Sequence, residues 1–269
     1  MSRIEAAFAR LRREGRRGLI PFITAGDPNL EMTGELLIEL AAAGASVIEL
    51  GVPFSDPVAD GPVIQRASER ALRHGFGLRE VLGVVEEARA AMKGVPVVLF
   101  SYFNPLLQYG PERLSREAAR AGVDGVLVTD LVPEEAVEFS AKLRAHELDM
   151  IFLVAPTSGD ARLAMVAERA SGFIYAVSRA GVTGARADVS QEAERLVGRV
   201  RKFSDLPVAV GFGISSAEQV AATWRYADAA VVGSALVAEI ERLEGATDLA
   251  QRVGDFVRGL LPEEGKKDV

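Results

Sequence analysis

The chain has 269 residues, 49% hydrophobic and 26% charged, a composition that suits a globular protein with one large core. A formal net charge of −7 disfavours a nucleic-acid surface, and the absence of cysteine excludes disulfides, zinc–thiolate sites and thiol nucleophiles. No run approaches the roughly 18 apolar residues of a membrane helix, and the charged N-terminus MSRIEAAFARLRREGRRG lacks the apolar stretch of a secretory signal, so a cytoplasmic protein is expected.

Residues 2–14 read as a helix that precedes everything else and covers one end of the fold. Eight apolar runs follow, at 19–26, 46–51, 96–102, 125–130, 150–156, 172–178, 207–213 and 229–235. They are nearly continuous rather than alternating, which is how parallel strands buried on both faces look. Amphipathic stretches separate them at 30–43, 78–92, 111–121, 133–146, 160–169, 191–202 and 215–224, with 236–259 after the last. Several open on good helix starters, among them Asn29, Pro111, Pro133 and Ser216. Eight strands alternating with helices predict a single (β/α)8 barrel, a TIM barrel, spanning residues 1–269, with 262–269 a frayed tail; an open doubly wound sheet is the rival. The interval from Gly51 to Pro96 is longer than one helix and two loops need, and it contains GVPFSDPVADGP. The segment RAGVTGARADVS after the sixth strand is also long, so both are candidate lids.

Glu49 lies inside an apolar strand, where a carboxylate is costly to bury. Alternation puts it on the face of Val47, so that face points it into the barrel or leaves it a buried acid satisfied by a neighbour. Asp60, on the loop after the same strand, suits shared acid–base work with Glu49; Asp56-Pro57 and Asp60-Gly61 equally suit plain turns. Asp130 is a third candidate, or the start of the next turn. Gly211-Phe212-Gly213 and Gly233-Ser234 end the last two strands, where barrels often hold phosphate, and Gly184 lies in position to close over it. No Lys or Arg lies at 207–215 or 229–235, so backbone amides would do the binding. Phe22, Phe100, Leu127, Phe152 and Tyr175 are pocket walls or simple core. His74 and His146 fall in predicted helices, away from strand ends, and no metal site is expected. No nucleotide-binding glycine motif or nucleophile triad is present.

The segments IPFITAGDPN, IELGVPFSDPVADGPVIQRA, FNPLLQYG, GVLVTDL, YAVSRAGVTGAR, GFGIS and VVGSA, in this order, closely resemble the tryptophan synthase α subunit family. The resemblance implies retro-aldol cleavage of indole-3-glycerol phosphate to indole and glyceraldehyde 3-phosphate. It implies Glu49 as general acid/base and Asp60 as the partner of the indole N–H. Phe22, Phe100, Leu127 and Tyr175 would line the indole pocket. Gly184, Phe212, Gly213, Gly233 and Ser234 would hold phosphate, and Thr183 would close the loop over Asp60. It further implies an αββα complex that passes indole to a β subunit carrying pyridoxal phosphate, with none in this chain. Asp56, Pro57, Asn104 and Pro133 would face that partner, and Val132 departs from a proline common in relatives. Other readings are a different phosphate-binding barrel, such as an isomerase or indole-glycerol-phosphate synthase, and a ligand-sensing subunit without activity. The synthase would need a strand-end lysine, whereas Lys93, Lys142 and Lys202 fall in predicted helices.

Overall fold

Strands of four to seven residues in which nearly every side chain is apolar need cover on both faces, and a barrel wrapped by helices supplies it. The computed structural model describes residues 1–177, 186–211 and 213–262, with backbone alone at 186–190. The strands are β1 (Gly18–Thr24), β2 (Ile48–Gly51), β3 (Val97–Ser101), β4 (Gly125–Val128), β5 (Asp149–Val154), β6 (Ile174–Val177), β7 (Val208–Gly211) and β8 (Ala229–Val232). They pair in chain order, all parallel, and β8 closes onto β1.

Among the described residues the helices are α1 (Arg3–Arg13), α2 (Leu30–Ala42), α3 (Pro62–Leu72), α4 (Leu78–Ala88), α5 (Phe103–Tyr109), α6 (Pro111–Ala121), α7 (Val137–Ala145), α8 (Asp160–Arg169), α9 (Arg186–Val200), α10 (Ala217–Trp224), α11 (Ser234–Arg242) and α12 (Leu249–Leu260). Two of these answer to no amphipathic stretch in the sequence. Helix α3 begins with Pro62 at its first turn, directly after a loop dense in Pro, Gly and Asp, so the long interval holds both a loop and a helix. Helix α5 is a seven-residue segment too short to show a period. The stretch expected as one helix over 236–259 is two, broken where Gly245 adopts φ 83°. Helix α7 starts at Val137 rather than Pro133.

Apart from a small cluster of Phe22, Ala67 and Val237, the buried apolar side chains form two large layers. One lies between barrel and helices and takes Ile48 and Leu50 of β2. The other fills the barrel interior with Ile20, Val47, Val98, Leu127, Ile151 and Phe173, and is completed from below by Ile4, Phe8 and Leu11 of α1. Ser2 and Glu5 form a capping box that starts α1. Phe8 then meets Phe173 with ring centroids 5.8 Å apart. Arg3 pairs with Asp124, and the Ser2 hydroxyl donates to Asp149 at 2.6 Å, which fastens the helix to the strand starts.

At the other end, Arg70 of α3 grips the buried Asp27 through two hydrogen bonds of 2.7 and 2.8 Å and Glu241 of α11 through a third of 2.7 Å. Arg66 adds two bonds to Glu241, at 2.8 and 2.7 Å. This network locks α3 against α11 and the β1–α2 loop, and so fixes the base of the loop that carries Asp60.

Candidate active site

Glu49 occupies the inner face of β2, one position above Val47 in the interior layer, and is 1% exposed. Its register partners are Phe22 on β1 and Val98 on β3. No group among the described residues hydrogen-bonds its Oε1. Burial without a stabilising partner pushes its carboxyl up from 4.5 to about 8. The alternative of a buried acid satisfied by its neighbours is therefore not what the barrel wall offers at that oxygen.

Asp60 sits half-buried at the end of the loop leaving β2. Burial raises its carboxyl and a hydrogen bond from Tyr102 opposes the rise. The Tyr102 hydroxyl donates to Asp60 Oδ2 at 3.1 Å and accepts the Ala59 N–H at 2.9 Å. From the α3 side, the Gln65 side chain donates to the Asp60 carbonyl at 2.9 Å. Asp56 is exposed on the same loop. Asp130 serves the fold instead, accepting the Phe103 N–H at 2.7 Å and so capping α5.

The aromatic walls divide by strand face. Phe22 and Phe100 meet edge-on with centroids 5.3 Å apart; Phe22 packs with Ala67 and Val237, whereas Leu127 and Tyr175 belong to the interior layer that Phe100 also touches. Burial, then the charge of Glu49, pushes the Tyr175 phenol up, so the two groups lie in each other's field across the barrel. Of the two readings open for Phe152, core is the one it takes. It packs in the outer layer while Ile151 points inward, because β5 is covered on both faces and apolarity alone does not say which side faces in.

Two strand-end glycines make room for these rings. A Cβ on Gly51 would lie 2.6 Å from Phe22 Cζ, and one on Gly211 would lie 2.0 Å from the Tyr175 hydroxyl. Sequence reasoning places Gly211 only in an anion loop, although a glycine at an inward position of a strand is itself a signal of close approach. Thr24 escapes sequence reasoning altogether. Its buried Oγ1 has no hydrogen-bond partner among the described residues, and it lines a cleft with Phe22, Asp60, Phe100 and Tyr102.

Of the expected phosphate ligands, Gly213 follows β7 with φ 74° and open space on its Cβ side. Gly233 is the N-cap of α11 and Ser234 its first residue. A Cβ on Gly233 would lie 3.7 Å from Phe22 Cβ, so this helix start borders the aromatic pocket. Since Gly211 and Val231 are register partners, the two turns leave neighbouring strands. Thr183, Gly184 and Phe212 lie outside the described residues, as do the other positions of 178–185. Asn104 is exposed at the start of α5, while Pro133 is buried with its carbonyl held by Arg169. Neither histidine nor any of the described lysines stands at a strand's C-terminal end: His74 contacts the Pro28 carbonyl at 2.6 Å and His146 ends α7. Among the described residues no cluster of His, Cys, Asp or Glu is arranged to hold a metal, and no helix is long and apolar enough to cross a membrane.

An inward carboxyl near the rim, a second carboxylate on the adjoining loop and glycine turns after the last two strands together describe a barrel enzyme site. The sequence profile of the family described as tryptophan synthase alpha chain matches residues 8–261. The chain belongs to this family. The tryptophan synthase alpha chain of Dechloromonas aromatica is 54% identical over 271 aligned positions, covering 99% of this chain and 100% of the relative. That of Geobacter sp. strain M21 is 50% identical over 260 positions, covering 97% of each. The crystal structure of tryptophan synthase subunit alpha from Legionella pneumophila superposes with a TM-score of 0.89 at 38% identity, covering 97% of each chain. As a tryptophan synthase alpha chain, it is a lyase of tryptophan biosynthesis that cleaves indole-3-glycerol phosphate.

Proposed function

We propose that Glu49 and Asp60 carry the cleavage. The supporting observation is the Glu49 carboxyl, buried on the inner barrel face, with one oxygen that has no partner among the described residues and a carboxyl pushed up to about 8 by burial. Protonated Glu49 delivers its proton to indole C3, which turns a poor leaving carbon into an indolenine. Asp60, as a carboxylate, accepts the ring N–H and steadies the positive charge that arises there. Glu49, now an anion, takes the proton of the glycerol hydroxyl next to the breaking bond. The C–C bond then cleaves, its electron pair restores the indole ring, and the aldehyde of glyceraldehyde 3-phosphate forms. Glu49 ends the cycle protonated, so the proton count balances.

Phe22, Phe100, Leu127 and Tyr175 hold the indole ring, and Gly213, Gly233 and Ser234 offer backbone amides and the positive end of α11 to the phosphate, with Thr183, Gly184 and Phe212 completing the enclosure. The chain works in the cytoplasm without a cofactor of its own, pyridoxal phosphate residing in a β partner within an αββα assembly. Support for the docking face comes from the rim: Val58, Leu107 and Val132, on the segments after β2, β3 and β4, are 86%, 48% and 40% exposed beside Asp56, Pro57 and Asn104. The test is to give indole-3-glycerol phosphate to the full chain, with and without a tryptophan synthase beta chain, and to follow indole. Glu49→Gln is expected to lower kcat at least a thousandfold, on the order of a lost general acid, while KM stays within a few-fold. Near-normal turnover would remove Glu49 from the mechanism.

A further inference from the structure

Tyr102 is 3% exposed and stands between the end of β3 and the first turn of α5. Its ring stacks on Phe54 with centroids 5.2 Å apart, and the Ser101 hydroxyl donates to its carbonyl at 2.9 Å, so both side chain and backbone are held. A phenol has one proton and accepts through its lone pairs. The Ala59 N–H, 2.9 Å away, occupies the acceptor side, and the proton is left for Asp60 Oδ2 at 3.1 Å. The direction of the bond is therefore set by the backbone amide next door: Tyr102 donates, and Asp60 accepts.

We infer that Tyr102 is a positioning residue for the cleavage reaction, holding Asp60 as an acceptor at the mouth of the barrel so that its carboxylate is in place for the indole N–H. This rests on the role proposed above for Asp60. The hydroxyl spans 42 residues of sequence to reach a loop otherwise tied, on this side, to its own helix through Gln65. A donor suits that role only if it never loses its proton. Burial first, and then the charge of Asp60, push the phenol above its ordinary value, with Asp130 at the end of β4 acting in the same direction. Among the described residues, Tyr102 is the side chain that opposes the effect of burial on the Asp60 carboxyl, and it acts to keep it ionised.

Tyr102→Phe removes the hydroxyl and leaves the ring on Phe54. With the full chain and a tryptophan synthase beta chain, indole release from indole-3-glycerol phosphate is measured across pH, in parallel with Asp60→Asn. The expected result for Tyr102→Phe is a kcat about tenfold lower, the loss typical of one hydrogen bond to a charged group. KM should change less than about twofold, because the phosphate end is untouched. The acidic limb of the kcat profile should move to higher pH, since Asp60 then needs less acid to be protonated. A lower kcat with an unmoved acidic limb overturns the inference, for that is what loosened packing alone would give. So does an unchanged kcat in a background where Asp60→Asn abolishes turnover. If Asp60→Asn itself retains turnover, the role of Asp60 fails first and this inference falls with it. A thermal melt of Tyr102→Phe within a few degrees of the parent shows that the rates compare folded proteins.

Discussion

A carboxyl group set in an apolar wall keeps its proton unless something stabilises the anion, and at Glu49 the wall is Phe22 on one side and Val98 on the other. The same property that makes it a usable acid makes it a burden on the fold. An unfolded glutamate ionises near 4.5, whereas the folded one does so near 8. Between these values the unfolded chain gives up a proton that the native chain retains, so stability contributed by this site falls as pH rises through that window. The loss reaches roughly 3 kcal/mol by pH 7. Glu49→Gln has no proton to lose. Denaturant unfolding should find it about equal to the parent near pH 4.5 and more stable by roughly that amount at pH 7; a constant difference at both values would show that the carboxyl is stabilised by something else. On the activity side, turnover of the parent should decline above about pH 8 as Glu49 ionises.

At the scale of elements, β2 is the informative piece. Its inner face runs Glu49, Gly51, continuing from Val47 just before the strand, and the last position carries no side chain so that the Phe22 ring can lie across it. Gly51→Ala places a methyl group 2.6 Å from Phe22 Cζ, which forces the ring to move. We expect KM for indole-3-glycerol phosphate to rise about tenfold or more, with partial recovery when Phe22→Leu is added, the interaction being read from a double-mutant cycle. Strictly additive effects would show that the ring and the strand end are not in contact. The direction of Glu49 was legible in the sequence, because a carboxylate in an apolar strand has few places to point. The direction of Phe152 was not: a strand covered on both sides carries no polar mark of its inner face. Helix α3 was hidden for a related reason, since the Pro, Gly and Asp of the preceding loop read as one long irregular stretch although Pro62 also fits a helix start. The role of Tyr102 could not be read at all, as its partner is brought near only by barrel closure.

For the molecule as a whole, the two ends of the barrel have separate duties. The lower end is structural: α1 inserts Ile4, Phe8 and Leu11 beneath the interior layer. The helix and its covering role were expected from its place before the first strand; the structure adds the Ser2–Glu5 capping box and the buried face of Ile4, Ala7, Phe8 and Leu11. Phe8→Ala leaves a void against Phe173 and should cost about 3–5 kcal/mol in chemical denaturation, while kcat per folded molecule stays within about twofold. A fall in kcat as large as the loss of stability would show that the plug also shapes the upper site.

Because α1 stoppers the floor, the described part of the barrel is a flask closed at its base. On the role proposed above for Glu49, indole freed beside it meets the side chains of α1 below, and the cleft lined by Phe22, Phe100 and Asp60 lies on its way out. Any protein seated on the exposed valine and leucine of that rim would stand across the exit, placed to receive each product molecule before bulk water does.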